Sequence, residues 1–373
     1  MRVLVSGVLH GRPDARALLV EDGVVTWIGS GPPPVKPEET LEVPEGGLAA
    51  PGFIDLQVNG FAARDAAGGP DDLCVISSRL PETGVTAFLP TLISSPLDGC
   101  LEFVRMAAAA ESPGARILGV HLEGPFLNPD FRGAHDRRKL IEPDEPAVAR
   151  LLEVPPRMLT LAPELRGGLA AISRLHRAGV VVSAGHSGAD FETGEKAVAA
   201  GVRFGTHIFN AMTPFHHRRP GLPAALLADR RVTVGIIADG HHLHPATCEH
   251  TIRLKGPGRV ALTTDQTAAA GAEPGAYPLA GRSTASDGAT VRLANGKLAG
   301  SLATMDELLR RSAALRGVGV AAAVDMASRV PARVLRERRL GRLAVGAAAD
   351  LVLLDADLQV SLTMVGGRVV FRR

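Results

Sequence analysis

The feature that most constrains this chain is a series of eight short apolar runs, each closed by polar or turn residues. They are FIDLQV from Phe53, TAFLPTLI from Thr86, ILGVHLE from Ile117, MLTLAPE from Met158, VVVSAG from Val180, RFGTHIF from Arg203, VTVGIIAD from Val232 and VALTTD from Val260. Runs apolar on both faces belong to parallel strands covered by helices. The intervening segments, such as GLAAISRLHRAG from Gly168, carry helical spacing. Eight βα units of this kind close into a (β/α)8 TIM barrel of about 250 residues. A doubly wound open sheet is the alternative, but no GxGxxG follows the first run. The expected class is therefore α/β.

The ends read differently. VLVSGVL and ALLVEDGVVTWIG near the start, and ADLVLLDADLQVSLTMVGGRVVFRR at the finish, look like short strands with Gly and Asp turns. They imply a small β-sandwich domain built from both termini, residues 1–50 and 336–373, around a barrel over 51–335. GPPPVKPEE from Gly31 is a surface loop.

With 46% hydrophobic residues there is ample material for a core of this size. A formal net charge of +2 excludes nucleic acid and anionic membrane as expected partners. Arginine outnumbers lysine, but the basic residues are scattered or balanced by acids, as on a solvated surface. Cys74, Cys100 and Cys248 lie far apart with no CxxC pair, which points to a reducing cytoplasm. No stretch reaches the roughly 20 apolar residues of a membrane span, and the first residues lack a signal-peptide pattern.

A barrel carries its chemistry at the carboxyl ends of its strands. Those ends supply Gln57 and Asn59, Glu123, His186, His207, Asp239 and His242, and Asp265. A buried carboxylate such as Glu123 costs several kcal/mol unless it is paired. One carboxylate and two histidines at three strand ends suit a three-ligand zinc site with a fourth position for water. Any one of these residues alone is as easily a satisfied core or capping group; an Asp before a helix, like Asp265, is a common N-cap. His121 lies two residues before Glu123 on the same face and receives no role. The loop HIFNAMTPFHHRRPG offers Asn210, then His216, His217, Arg218 and Arg219, a set suited to an anionic group such as phosphate.

Together, PGFIDLQVNG, HLEGPFLN, KLIEP, SAGHS, THIFNAM, RRPG, GIIADGHH and LTTDQTAAAG resemble the N-acetylglucosamine-6-phosphate deacetylases of the amidohydrolase superfamily. The resemblance runs from about Pro51 to the LAGSLATMDELL segment. It implies metal ligation by Glu123, His186 and His207, with one divalent ion, zinc or alternatively iron or cobalt. It implies that Asp265 takes a proton from the attacking water and returns one to the leaving amine, and that His135 hydrogen-bonds the amide carbonyl as it becomes an oxyanion. Asn210, Ala211, Arg218 and His242 are implied as contacts to the sugar phosphate. A homodimer with shared active sites is implied as well, because in the family an arginine comes from the neighbouring subunit.

Two departures stand out. The first strand reads Gln57-Val58-Asn59 where many amidohydrolases have His-x-His; neutral amides are poor zinc ligands, so a second metal there is not expected, as in the family's single-metal branch. FAARDAAGG after Gly60 replaces a glycine-rich turn that borders the site in relatives. The expected reaction is hydrolysis of the acetamide of N-acetyl-D-glucosamine 6-phosphate to acetate and the amino sugar phosphate. The galactosamine epimer, a deaminase or cyclic amidase reaction, and a non-catalytic scaffold are the alternatives.

Overall fold

A computed structural model describes residues 1–373. Eight parallel strands follow one another around a barrel: Phe53–Val58, Val85–Ile93, His121–Glu123, Met158–Leu161, Val181–Ala184, Phe204–Gly205, Thr233–Ile236 and Val260–Leu262. Each pairs in parallel with the next. The last meets the first just past its end, where Asn59 N donates to Gln266 O at 2.9 Å and the Thr264 hydroxyl donates to Asp55 at 2.5 Å. All nine residues of Val85–Ile93 are buried, as a strand covered on both faces requires.

A helix follows every strand: Pro70–Arg79, Leu97–Ala109, Glu145–Leu151, Gly168–Arg177, Phe191–Ala200, Gly221–Ala228, Pro245–Lys255 and Met305–Ala313. Asp144 and Asp190 cap two of them, accepting from Ala147 N and Thr193 N. The helix Gly168–Arg177 buries Ala171, Ile172 and Leu175, the stripe its spacing predicts.

Three elements differ from the sequence reading. ILGVHLE is not one strand: Arg116–Ile117 and His121–Glu123 both pair with Val85–Ile93, interrupted at Gly119, whose φ is +106°. RFGTHIF keeps only two strand residues, because the chain turns inward at His207. And Gly275–Leu279, Arg282–Ser286 and Val291–Arg292 form an unanticipated antiparallel sheet between the eighth strand and the eighth helix. Its first turn is Ala280-Gly281, with φ of +47° and +81°, the backbone a tight hairpin needs.

The termini form two four-stranded sheets. Arg2–Ser6, Ala17–Glu21, Val24–Gly29 and Glu39–Glu42 make one; Leu48–Pro51, Leu351–Leu354, Val360–Val365 and Arg368–Arg372 make the other. Val3, Val5, Leu18 and Val20 pack against Leu351, Leu353, Leu362 and Met364 between them, the sandwich arrangement of alternating strands.

Inside the barrel, His121 finds its place. Its Nδ1 donates to Leu56 O at 3.0 Å, and its Nε2 lies 2.7 Å from the Thr160 hydroxyl. Thr160 meets Thr206 at 2.7 Å, and Thr206 meets Ser183. Burial pushes the His121 pKa down to about 4, so the ring stays neutral in this closed network.

Candidate active site

A cavity of about 170 Å3 opens at the carboxyl ends of the strands. Glu123 ends the third strand, while His186, His207 and Asp265 follow the fifth, sixth and eighth. The last three have φ of +50°, +28° and +50°, a left-handed backbone that non-glycine residues adopt at a cost. At these turns the strand direction breaks, and the side chains converge on one point.

Glu123 Oε1 lies 3.1 Å from His186 Nε2 and 2.9 Å from His207 Nε2, and the two imidazole nitrogens are 3.2 Å apart. These separations are close to the roughly 3.3 Å edge of a tetrahedron with bonds of about 2.0–2.1 Å. His186 Nδ1 faces the Phe131 carbonyl at 2.9 Å and donates to it. That bond leaves Nε2 as the lone-pair nitrogen, the usual way a second partner orients a ligating histidine. Two imidazole nitrogens facing each other at 3.2 Å require a proton or a cation between them. This buried Glu/His/His group can therefore bind a metal.

Burial alone would raise the Glu123 pKa, but His186, His135 and His207 around it more than offset this and hold it well below the usual carboxylate range. Asp265 goes the other way: burial, then the neighbouring Glu123 charge, push it up to about 6. Gln57 bridges the two acids, donating to Glu123 Oε1 at 3.0 Å and Asp265 Oδ1 at 2.9 Å. Asn59 donates to the same Asp265 oxygen at 2.7 Å. The first-strand amides thus secure the two carboxylates.

His135 sits 3.4 Å from Glu123 Oε2 through its Nε2. Its Nδ1 accepts the backbone N–H of Ser94 at 3.0 Å and lies 2.8 Å from the Ser94 hydroxyl. The proton is then on Nε2, which faces Glu123 Oε2 at the wall of the cavity. Burial pushes its pKa down to about 4, so the ring is a neutral donor.

Asn210, Ala211 and His242 also line the cavity. His242 Nδ1 is 2.7 Å from Asp239 Oδ2, which fixes the ring with Nε2 outward, while Asn210 donates to the His207 carbonyl at 3.1 Å. Arg218 is the exception. It lies in an exposed loop and lines a separate groove with Asp190, His216 and Arg219; within one chain it is not brought to this cavity.

Sequence reasoning missed several groups. Leu279, at the end of a strand of the unanticipated sheet, and Leu298 and Ala299 after that sheet line the cavity. Ser94 orients His135. Glu164 accepts from the Ser187 hydroxyl at 2.6 Å, Gly188 N at 2.5 Å and Asn128 Nδ2 at 2.9 Å, anchoring the loop after His186. The Ala-Gly hairpin turn and the polar ends of the TLISS and TLAPE segments were the available signals.

The barrel and its buried Glu/His/His group define a hydrolase of the amidohydrolase type. The Amidohydrolase family model matches residues 48–370, and the chain belongs to that family. It is 39% identical to N-acetylglucosamine-6-phosphate deacetylase of Danio rerio, over 88% of this chain and 86% of that one. It is 36% identical to N-acetylgalactosamine-6-phosphate deacetylase of Escherichia coli, over 96% of each. An Asp-to-Ala mutant of the Mycobacterium smegmatis N-acetyl-D-glucosamine-6-phosphate deacetylase, solved in complex with N-acetyl-D-glucosamine 6-phosphate, superposes with a TM-score of 0.91, at 34% identity and 99% coverage of both chains.

Proposed function

We propose that this protein hydrolyses the acetamide of N-acetyl-D-glucosamine 6-phosphate, releasing acetate and D-glucosamine 6-phosphate. The observation that carries the reading is the placement of Asp265 and a neutral, donor-bearing His135 around the Glu123–His186–His207 group. A divalent cation held by those three residues supplies Lewis acidity to the carbonyl and the attacking water; zinc suits the donors best, with iron and cobalt as alternatives. Asp265, ionised above its raised pKa, takes the water proton and returns one to the departing amine. His135 donates through Nε2 to the oxygen that gains charge. Asn210, Ala211 and His242 orient the sugar phosphate, so binding energy away from the amide positions it.

Arg218 enters this reading through a second copy of the chain, whose loop would reach the phosphate end of the cavity. We infer a homodimer with shared sites, in a cytoplasmic enzyme of amino-sugar breakdown. The test is acetate release from N-acetylglucosamine and N-acetylgalactosamine 6-phosphates, with and without chelator. Chelator-sensitive acetate from the gluco epimer supports the reading. Preference for the galacto epimer transfers it to the reaction of the Escherichia coli relative. Release of ammonia, or activity indifferent to chelation, overturns it.

A further inference from the structure

The opposite mouth of the barrel carries a feature the reaction does not use. Arginines stand at the start of several strands: Arg203 directly before Phe204, Arg231 two residues before Thr233 and Arg259 directly before Val260. Arg333, in the helix Arg329–Val334, and Arg336, just beyond it, come to the same place. With His176 they line a cavity of about 150 Å3, comparable to the about 170 Å3 of the catalytic cavity.

No carboxylate lines this cavity. Of the five arginines only Arg231 has an ion-pair partner, Asp229 at 2.7 Å. Arg203 donates to the carbonyls of Val198 and Val202 at 3.0 and 2.7 Å, and Arg333 to that of Gly258. These bonds tether the Arg203 and Arg333 guanidiniums at the cavity, while Arg259 and Arg336 make no side-chain bond. Desolvation and the neighbouring Arg231 lower the Arg203 pKa, and desolvation and Arg259 lower that of Arg333. Like charges held together in one concavity raise the local concentration of an anion, and guanidinium forks match the oxygens of phosphate in pairs.

We propose that the cavity formed by Arg203, Arg231, Arg259, Arg333 and Arg336 at the amino-terminal mouth of the barrel binds a small phosphate-class oxyanion, as a site separate from the catalytic one. Binding there relieves the mutual repulsion of the arginines and ties the last helix to the strand starts. The ligand is either the free ion or the phosphate of a small metabolite.

The test is thermal unfolding of the metal-loaded protein with orthophosphate or glucose 6-phosphate, against chloride at equal ionic strength. Three proteins are compared: wild type, Arg259→Gln/Arg336→Gln, and His242→Asn in the catalytic cavity. At roughly ten times its Kd the ligand should raise the wild-type Tm by about 2 °C. The rise should persist in His242→Asn and weaken at least tenfold in apparent affinity in the double-arginine variant, whose deacetylation without added phosphate stays at the wild-type rate. Neither substituted arginine holds another residue, so the variant keeps the fold. A response to orthophosphate identifies the free ion, and tighter response to glucose 6-phosphate a phosphorylated metabolite. The proposal is overturned if the rise keeps its wild-type size and apparent affinity in the double-arginine variant, vanishes in His242→Asn alone, or is matched by chloride.

Discussion

Replacing Asp265 by Asn isolates proton transfer from everything else the residue does. Asp265 Oδ1 receives Gln57 at 2.9 Å and Asn59 at 2.7 Å. An Asn side chain keeps that oxygen and both donors, and puts an amide nitrogen where the second carboxylate oxygen stood. Shape and position are preserved; the charge and the basicity go. A general base of this kind is worth roughly 10²–10⁴-fold, which is about 2.7–5.4 kcal/mol of barrier. The kcat for acetate release should fall by that factor, with KM moving less than about threefold and metal content unchanged. The loss of a negative charge beside Glu123 should leave the fold at least as stable, since their repulsion helps raise the Asp265 pKa. The base must be ionised to act, so wild-type kcat should fall as pH drops through about 6 or, with a cation pulling the value down, somewhat lower. That limb should be missing from the residual activity of the variant. Steady-state acetate assays from pH 4.5 to 8, with metal analysis of each preparation, check the rates, the metal and the acid limb, and thermal unfolding checks the stability. A variant with metal bound and kcat within tenfold of wild type would refute the assignment of Asp265 as base.

His135→Gln removes an oriented donor and should lower kcat about 10²–10³-fold with metal retained, as loss of one oxyanion donor does; a kcat loss below tenfold would count against it. Arg218→Ala should raise KM for phosphorylated sugars and leave kcat near wild type, and an unchanged KM would place phosphate recognition elsewhere. His121 titrates near 6.5 when unfolded and near 4 in the barrel. Its lowered value means stability is fully present above pH 6.5 and lost as pH falls toward 4, by at most about 3 kcal/mol. In His121→Gln the acid decline of Tm over that window should be shallower by about 4 °C, and an unaltered slope would mean the ring is not buried neutral.

Much of this architecture is legible in the sequence because burial on both faces leaves a plain mark. Runs such as TAFLPTLI cannot be exposed, and their alternation with helical spacing leaves few closed arrangements. Glu123, His186 and His207 show themselves by breaking those runs. What stays hidden depends on three-dimensional closure. Ser94 looks like any strand-end serine until the ring of His135 arrives 41 positions later. The sheet from Gly275 is short, and half of its first two strands is exposed, so it lacks the apolar runs that mark the barrel strands. The arginines before Phe204, Thr233 and Val260 look scattered because about 28 residues separate each from the next, one βα unit, which brings them side by side only once the barrel has closed. Arg218 is the converse case, adjacent in sequence to the site loop and apart from the cavity in space.

The left-handed turns at His186, His207 and Asp265 have a consequence for how such a protein can change. Each holds an ordinary residue in a conformation that costs about 1–3 kcal/mol and that glycine would adopt freely. The most permissive substitution for the backbone is thus the one that empties the site. Glycine there would relieve the strain but leave Glu123 without its two histidines, or Gln57 and Asn59 without their acceptor, so the buried polar groups that the turns bring together hold the costly backbone in place.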